Sequence, residues 1–111
     1  MHETPFPVHE TGDFKYNDEG PSDSPLPPIV LLHGMLGDLS NWVDAVRSLS
    51  DSGYRVLAPI IPVYGFPLSE TGVPRLTEHV HGFIETMGLE STILVGNSLG
   101  GHIALLYALS H

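Results

Sequence analysis

From residue 29 onwards, short apolar runs alternate with longer stretches of helical periodicity. The apolar runs at residues 29–32, 54–58 and 92–95 are of strand length, and each is bounded by a turn-forming or polar residue, so they predict strands buried on both faces. Each predicted strand is followed by a predicted helix. The resulting β-α-β-α-β-α order predicts a parallel sheet with right-handed crossovers and helices on both faces.

Apolar residues recur at helical spacing in two stretches between these strands. The first stretch covers residues 41–52, with Asp38 or Ser40 as its cap and Gly53 as a left-handed stop. The second covers residues 74–87, because Pro74 fits the first turn of a helix. Its apolar stripe is Leu76, Val80, Phe83, Ile84 and Met87. We interpret this stripe as core, since helical spacing alone explains it.

Residues 1–28 differ in composition from the rest of the chain. They hold six of the ten prolines and six of the thirteen acidic residues. Residues 8–11 and 13–17 are candidate antiparallel edge strands, residues 17–21 resemble a turn and residues 22–28 a linker. A disordered tail is the alternative for residues 1–12. We therefore predict edge strands or a flexible segment over residues 1–28, and the main α/β unit over residues 29–111.

The candidate chemistry is concentrated in residues 93–101, which read Ile-Leu-Val-Gly-Asn-Ser-Leu-Gly-Gly. They lead from the third strand into an apolar helix predicted over residues 102–109. Strand, sharp turn and helix together make G-x-S-x-G a nucleophile elbow that lifts the Ser98 hydroxyl above the sheet. Gly96 and Gly100 are expected where a Cβ would collide with backbone or require a forbidden φ. The alternative is a serine in an ordinary βα loop.

An acyl-transfer site also needs two backbone N–H donors for the developing oxyanion. We assign one to Leu99, which follows the nucleophile, and the other to Met35, which follows the turn at His33 and Gly34. His33 itself is expected to shape that turn. His102 is the one local candidate base, but its position on the helix favours a surface or packing role.

The motifs resemble those of a known family. Residues 28–111 are similar to the N-terminal part of serine-nucleophile α/β-hydrolases in three places: the first strand with His33-Gly34, the segment Ser40-Asn41-Trp42, and the elbow around Ser98. One longer segment resembles small-molecule esterases of the family; it reads Leu-His-Gly-Met-Leu-Gly-Asp-Leu-Ser-Asn-Trp. The elbow sequence also resembles the C–C bond hydrolases.

The resemblance implies a partial α/β-hydrolase fold and hydrolysis of small carboxylic esters through an acyl-enzyme, with no cofactor. A C–C bond hydrolase or acyltransferase of the same fold is one alternative, and a non-catalytic half-domain that acts in association is another. The family's triad order is serine, acid, histidine. Both partners of Ser98 are therefore expected beyond His111, in a chain truncated after the nucleophile helix, and the isolated chain is expected to be inactive.

Charge and composition limit the kinds of partner that the chain is expected to bind. The sequence has thirteen acidic residues and four basic ones, which gives a net charge of −9. This negative charge disfavours nucleic acid as a partner. The sequence has no cysteine, and His79 and His81 lie two apart on a predicted helix, so we expect no metal site. With no apolar run of membrane-spanning length and no basic leader at the N-terminus, we expect a soluble, cytoplasmic protein.

The family's strand order implies one apolar surface without a neighbour. In that order the strand at residues 92–95 pairs on its far side with a strand from beyond His111, so this side is expected to be unpaired here, and the helix at residues 102–109 is apolar nearly all round. Exposed edges and apolar patches of this kind associate with other chains. We therefore expect self-association or binding of a complementary C-terminal chain.

Overall fold

The computed structural model describes residues 5–34, 42–62 and 72–111. Within them, strands and helices follow one another as predicted, with ends displaced by a few residues from the predicted bounds. The elements are β1 (His9–Thr11), β2 (Phe14–Glu19), β3 (Ile29–Leu32), α1 (Val43–Asp51), β4 (Val56–Pro59), α2 (Val73–Thr86), β5 (Ile93–Gly96) and α3 (Leu99–Ser110). The predicted caps of α1, Asp38 and Ser40, lie outside the described residues.

The strands form a single sheet in the order β1-β2-β4-β3-β5. Strand β3 pairs in parallel with both β4 and β5, while β2 pairs antiparallel with β4 and with β1. The predicted class is thus confirmed: a parallel α/β sheet with an antiparallel N-terminal edge. The predicted boundary at residue 28 stays a prediction.

The predicted turn at residues 17–21 is wrong at its start, because residues 17–19 belong to β2 and pair with β4. Their polar side chains find partners far along the chain. Asn17 is fully buried and its Nδ2 donates to the carbonyl of Pro7 at 2.9 Å. Asp18 accepts two hydrogen bonds from Arg55, at 3.0 Å from Nε and 2.8 Å from Nη2. That bonded carboxylate raises the pKa of Arg55 above its ordinary value.

Helices cover both faces of the sheet. This is required because successive apolar side chains of β3 point to opposite faces. Ile29 and Leu31 face the side of α1, whereas Val30 and Leu32 face the side of α2 and α3. The core on the first side is small and consists of Ile29, Leu31, Val46, Val56 and Ala58. The core on the second side is larger and consists of Tyr16, Val30, Leu32, Leu57, Ile61, Leu76, Val80, Phe83, Ile84 and Ile103.

Strand β5 forms an edge of this sheet, and apolar side chains stay exposed around it. Ile93 is 41% exposed and Val95 39% exposed on β5, and Leu105 is 61% and Leu109 77% exposed on α3. We call these four residues the β5–α3 face. Ile93 pairs with Ile29, so it lies on the α1 side of the sheet, whereas α3 packs on the other side. The exposed apolar surface therefore borders both sides of the edge.

Candidate active site

Ser98 occupies a strained turn between β5 and α3. Its φ is 55° and its ψ −113°, and it is the one residue other than glycine with a positive φ in the described part of the chain. Conformations this sparsely populated cost roughly 1–3 kcal/mol and persist only where the surrounding structure enforces them. The side chain of Ser98 is exposed at the carboxyl end of β5. The backbone geometry is that of the elbow expected from the sequence.

Two glycines make this turn possible. An ideal Cβ on Gly96 would overlap the backbone of Gly100 and Gly101, and one on Gly100 would overlap the carbonyl of Leu32. The first turn of α3 therefore sits directly against the ends of β5 and β3. Hydrogen bonds fix this contact: Asn97 N–H donates to the Leu32 carbonyl at 3.1 Å, and Gly100 N–H donates to the Asn97 carbonyl at 3.0 Å. Both glycines have the steric role that the sequence assigned to them.

The start of α3 presents backbone donors beside Ser98. The N–H groups of Gly101 and His102 donate back to the Ser98 carbonyl at 2.9 and 3.2 Å. Leu99 is the first residue of the helix, so its N–H has no acceptor within the helix. That free N–H and the positive end of the helix dipole favour negative charge next to the Ser98 hydroxyl. The predicted role of Leu99 as an oxyanion donor stays a prediction that this geometry allows.

The loop after β3 approaches Ser98 from the neighbouring strand. A Cβ built on Gly34 would lie 3.4 Å from the Cβ of Ser98 and 3.2 Å from the carbonyl oxygen of Asn97. The structure thus brings Gly34 and Ser98 together, although their sequence positions are far apart. Met35, the expected second oxyanion donor, lies outside the described residues, and so its role stays a prediction.

His33 is buried behind this loop, 3% exposed. Its Nδ1 lies 2.7 Å from the Gly34 carbonyl oxygen, and its Nε2 accepts a hydrogen bond of 2.8 Å from the N–H of Ile61. His33 therefore joins the loop after β3 to the loop after β4, in agreement with the turn-shaping role expected for it. The bond to Ile61 has no local signature in the sequence.

The described residues do not supply Ser98 with a base. No hydrogen bond among them joins a side chain to the Ser98 hydroxyl, and His102 is exposed on α3 with only its backbone N–H bonded to Ser98. A serine hydroxyl without a base is a weak nucleophile near neutral pH. The described residues thus place backbone donors beside Ser98 but no base.

One sizeable cavity lies away from Ser98. Its volume is about 780 Å³, and it opens between α2, the start of β5 and the C-terminal half of α3, with neither Ser98 nor Gly34 in its lining. Its lining residues are His81, Ile84, Glu85, Leu89, Glu90, Thr92, Leu94, Ala104, Leu105, Tyr107, Ala108 and His111. Leu105 belongs to the β5–α3 face, so the cavity is continuous with that exposed apolar surface.

A histidine pair at this cavity was not foreseen from the sequence, because 30 positions separate its members. The rings of His81 and His111 stack with their centres 3.9 Å apart and 12° between their planes. The Tyr107 hydroxyl lies 3.3 Å from Nδ1 of His81, and burial, followed by the charges of Glu85 and Glu78, raises the pKa of Tyr107. Within residues 5–34, 42–62 and 72–111, no group of three or more histidine or acidic side chains is arranged to hold a metal ion.

None of the helices in the described segments has the length and apolar character needed to span a membrane.

Comparison with known proteins places this geometry in a family. The family profile described as the alpha/beta hydrolase fold matches residues 27–111. A 2-hydroxy-6-oxononadienedioate/2-hydroxy-6-oxononatrienedioate hydrolase from Paraburkholderia phymatum is 35% identical over 103 residues, covering 86% of this chain and 35% of that protein. An sn-1-specific diacylglycerol lipase from Mus musculus is 33% identical over 90 residues, covering 78% of this chain and 29% of that protein.

Among solved structures, MGS-MChE2, an alpha/beta hydrolase enzyme from the metagenome of sediments from the lagoon of Mar Chica, Morocco, is 40% identical with a TM-score of 0.82. The alignment covers 91% of this chain and 44% of that enzyme. The chain thus spans about a third of the length of the curated relatives it matches, and less than half of this structure. Because the profile match covers the core strands, the elbow and α3, the chain belongs to the alpha/beta hydrolase fold family.

Proposed function

We propose that Ser98 is the nucleophile of a serine hydrolase that cleaves carboxylic esters through an acyl-enzyme when the hydrolase domain is complete. The observation that carries this proposal is the positive φ of Ser98, held in place by glycines that cannot bear a Cβ. Strained backbone of this kind clusters at functional sites, and an ordinary βα loop does not require it. A nucleophile elbow does require it, because the turn presents the hydroxyl above the sheet.

In the proposed reaction, the Ser98 Oγ attacks the ester carbonyl carbon while its proton passes to a histidine. The N–H groups of Leu99 and Met35 stabilise the oxyanion that forms. Collapse of the tetrahedral intermediate expels the alcohol, which takes the proton from the histidine and leaves an acyl group on Ser98. Water then attacks the acyl group by the same route and regenerates the serine.

The histidine and the acid that orients it belong, in this proposal, to polypeptide that follows α3 in the family's triad order. The isolated 111 residues are therefore inactive in the proposal. The difference in length between the two proteins supports a histidine and an acid in polypeptide after α3, since the chain aligns with 35% of the Paraburkholderia hydrolase.

Carbon–carbon bond hydrolysis is the second candidate, and the curated relatives favour it. Several of them are named as hydrolases of hydroxy-oxo-dienoic acids. Such acids contain no ester, so hydrolysis must cleave a carbon–carbon bond next to the oxo group. The same elbow and oxyanion donors serve both reactions, and the substrate-binding part of the domain decides between them.

The test uses a completed domain, made by joining residues 1–111 to the C-terminal remainder of the metagenomic hydrolase. A fluorophosphonate should label this domain rapidly at Ser98, as located by peptide mass spectrometry. Ser98→Ala should abolish the label, while Ser91→Ala, which removes an exposed hydroxyl just before β5, should not. A folded domain labelled elsewhere, or not at all, contradicts the proposal. Faster turnover of a hydroxy-oxo-dienoate than of p-nitrophenyl acetate selects the second candidate.

We also propose that the β5–α3 face binds the polypeptide that completes the sheet. Its exposed apolar residues border both sides of the β5 edge. A partner that adds a strand to β5 and covers both sides of the sheet would bury all of them, whereas a flat lid would reach one side only. The length of the relatives makes the rest of a hydrolase domain the favoured occupant, and a second copy of this chain is the competing outcome.

A further inference from the structure

The cavity between α2, the start of β5 and α3 carries two carboxylates in its lining. Glu85 lies in the last turn of α2 and Glu90 lies between α2 and β5, and both are exposed. The Nε2 of His81 lies 3.6 Å from Glu85, which makes an ion pair only while that ring is protonated. Among the described residues that line the cavity there is neither lysine nor arginine. The cavity therefore presents negative charge near neutral pH.

The four basic residues of the chain lie elsewhere in the fold. Arg55 is bonded to Asp18, and Arg47 lies over the ring of a phenylalanine, 5.7 Å from its centre. Lys15 lies on β2, and Arg75, in the first turn of α2, borders a different cavity. A cation that neutralises the carboxylates of this cavity must therefore come from outside these 111 residues.

Aromatic rings in the cavity wall also favour a cation. Tyr107 lines the cavity from α3, and its ring centre lies 5.8 Å from that of His81 and 5.0 Å from that of His111. The face of a tyrosine ring attracts cations, and a guanidinium is the commonest of them in proteins. Burial, followed by the charges of Glu85 and Glu78, raises the pKa of Tyr107, so these carboxylates act electrostatically on the same ring.

The apolar part of the lining suits the stem of a long side chain. Ile84, Leu94 and Ala104 contribute to it. Arginine combines an apolar stem with a planar guanidinium that stacks on rings and donates hydrogen bonds to carboxylates, and it is enriched at protein interfaces. Because Leu105 belongs both to the cavity lining and to the β5–α3 face, a polypeptide bound on that face is within reach of the cavity.

We propose that the polypeptide which covers the β5–α3 face inserts an arginine side chain into this cavity, where its guanidinium stacks on Tyr107 and pairs with Glu85 and Glu90. The inference rests on the proposed function, since it names the chemistry of the partner that completes the domain. Apolar contacts supply attraction without direction, whereas charges fix the partner and its register. The cavity thus determines which polypeptide binds and in what position.

A small probe tests the cavity without the rest of the domain. N-acetyl-arginine amide should shift the NMR signals of the Leu105 and Ala108 amides in the ¹⁵N-labelled 111-residue chain. It should bind at least about 10-fold more tightly than N-acetyl-citrulline amide, which has the same shape and no charge. Glu90→Gln should weaken binding of the arginine probe by about 3-fold, whereas Glu10→Gln, which removes an exposed carboxylate of β1, should not. Equal binding of the two probes, or equal effects of the two substitutions, would overturn the inference.

A second measurement separates this inference from the proposed completion of the sheet. The C-terminal remainder of the metagenomic hydrolase, supplied as a separate chain, should bind the Glu85→Gln/Glu90→Gln variant about 10-fold more weakly than the Glu10→Gln variant. All three side chains are exposed, so the substitutions should leave folding unchanged. Undiminished binding by the double variant would overturn the arginine assignment and leave completion of the domain standing. A remainder that does not bind even the wild-type chain would contradict completion at this face, and with it a polypeptide as the source of the guanidinium.

Discussion

The Cα of Gly100 lies so close to the carbonyl of Leu32 that no side chain fits between the start of α3 and the end of β3. This contact places the first turn of the helix directly on the sheet. It also sets where Ser98 and Leu99 lie relative to the loop that carries Gly34. Tight backbone packing thus sets the position of Ser98 on the sheet.

The first prediction concerns this packing. Gly100→Ala should destabilise the chain by about 3 kcal/mol, because its Cβ would overlap rigid backbone rather than a movable side chain. Gly101→Ala is the matched control, since a Cβ there would meet the Gly96 carbonyl oxygen at an ordinary 3.6 Å. This control should be neutral or gain up to about 1 kcal/mol from helix propensity. Urea denaturation measures both, and equal effects of the two substitutions would refute the steric role of Gly100.

The second prediction concerns pH. Burial lowers the pKa of His79 below its ordinary 6.5, and the nearby Asp13 only partly opposes this shift. The stability that neutral His79 contributes is therefore fully present above about pH 6.5 and is lost as the pH falls towards its lower folded-state pKa. The ring packs on Phe14 with centres 4.9 Å apart.

We expect His79→Gln to reduce the loss of unfolding free energy between about pH 7 and pH 5, relative to the wild-type chain. Denaturant titrations at several pH values measure this difference. Ionisable groups that the two proteins share contribute equally to both stability curves and cancel in the comparison. Parallel stability curves for the two proteins across this range would contradict the assignment to His79.

The third prediction concerns association through the β5–α3 face. Val95→Lys should weaken binding of the C-terminal remainder of the metagenomic hydrolase, supplied as a separate chain, because the charge would be buried next to the β5 edge. Val8→Lys is the matched control, since Val8 is 51% exposed and adjoins β1 at the opposite edge of the sheet.

Light scattering across a concentration series distinguishes the outcomes of this experiment. A mixed complex that Val95→Lys weakens and Val8→Lys does not supports completion of the sheet by the remainder of the domain. Dimers of this chain alone, weakened by the same substitution, identify a second copy as the occupant. A monomer whose β5 amides are fully protected from exchange contradicts both.

The fourth prediction concerns the isolated 111 residues. No described residue supplies Ser98 with a base, so the chain alone should neither turn over aryl esters appreciably nor react readily with a fluorophosphonate. Rapid, stoichiometric labelling of Ser98 would show that a base is present in the chain. His102→Gln would then test the one histidine on the same helix.

The sequence predicted the core strands, the helices and the elbow because their signals are local. Apolar periodicity identifies elements that bury one or both faces, and glycine spacing identifies a turn without room for side chains. The end of β2 carried conflicting signals, because residues 13–17 were predicted as a strand but Asn17 and Asp18 also favour turns. The strand is supported there by residues outside it, since the Asn17 amide donates to the Pro7 carbonyl and Asp18 accepts from Arg55.

The same limit applies to the candidate site. Ser98, Gly96 and Gly100 are found within one short segment, and the pattern of that segment is sufficient to predict their arrangement. The link from His33 to Ile61 joins loops that follow different strands, so it depends on the order of strands in the sheet. The stacking of His81 on His111 likewise depends on how α2 packs beside α3.

The role of Ser98 is tested most directly by the kinetics of Ser98→Ala in the completed domain. If Ser98 is the nucleophile, this substitution should lower kcat for an activated ester by at least about 10³-fold, because loss of the nucleophile disables the triad as a unit. Circular dichroism and the unfolding midpoint should stay those of the parent, since alanine keeps the backbone and the Cβ. Undiminished ester hydrolysis by a correctly folded Ser98→Ala enzyme would contradict the assignment of Ser98 as the nucleophile.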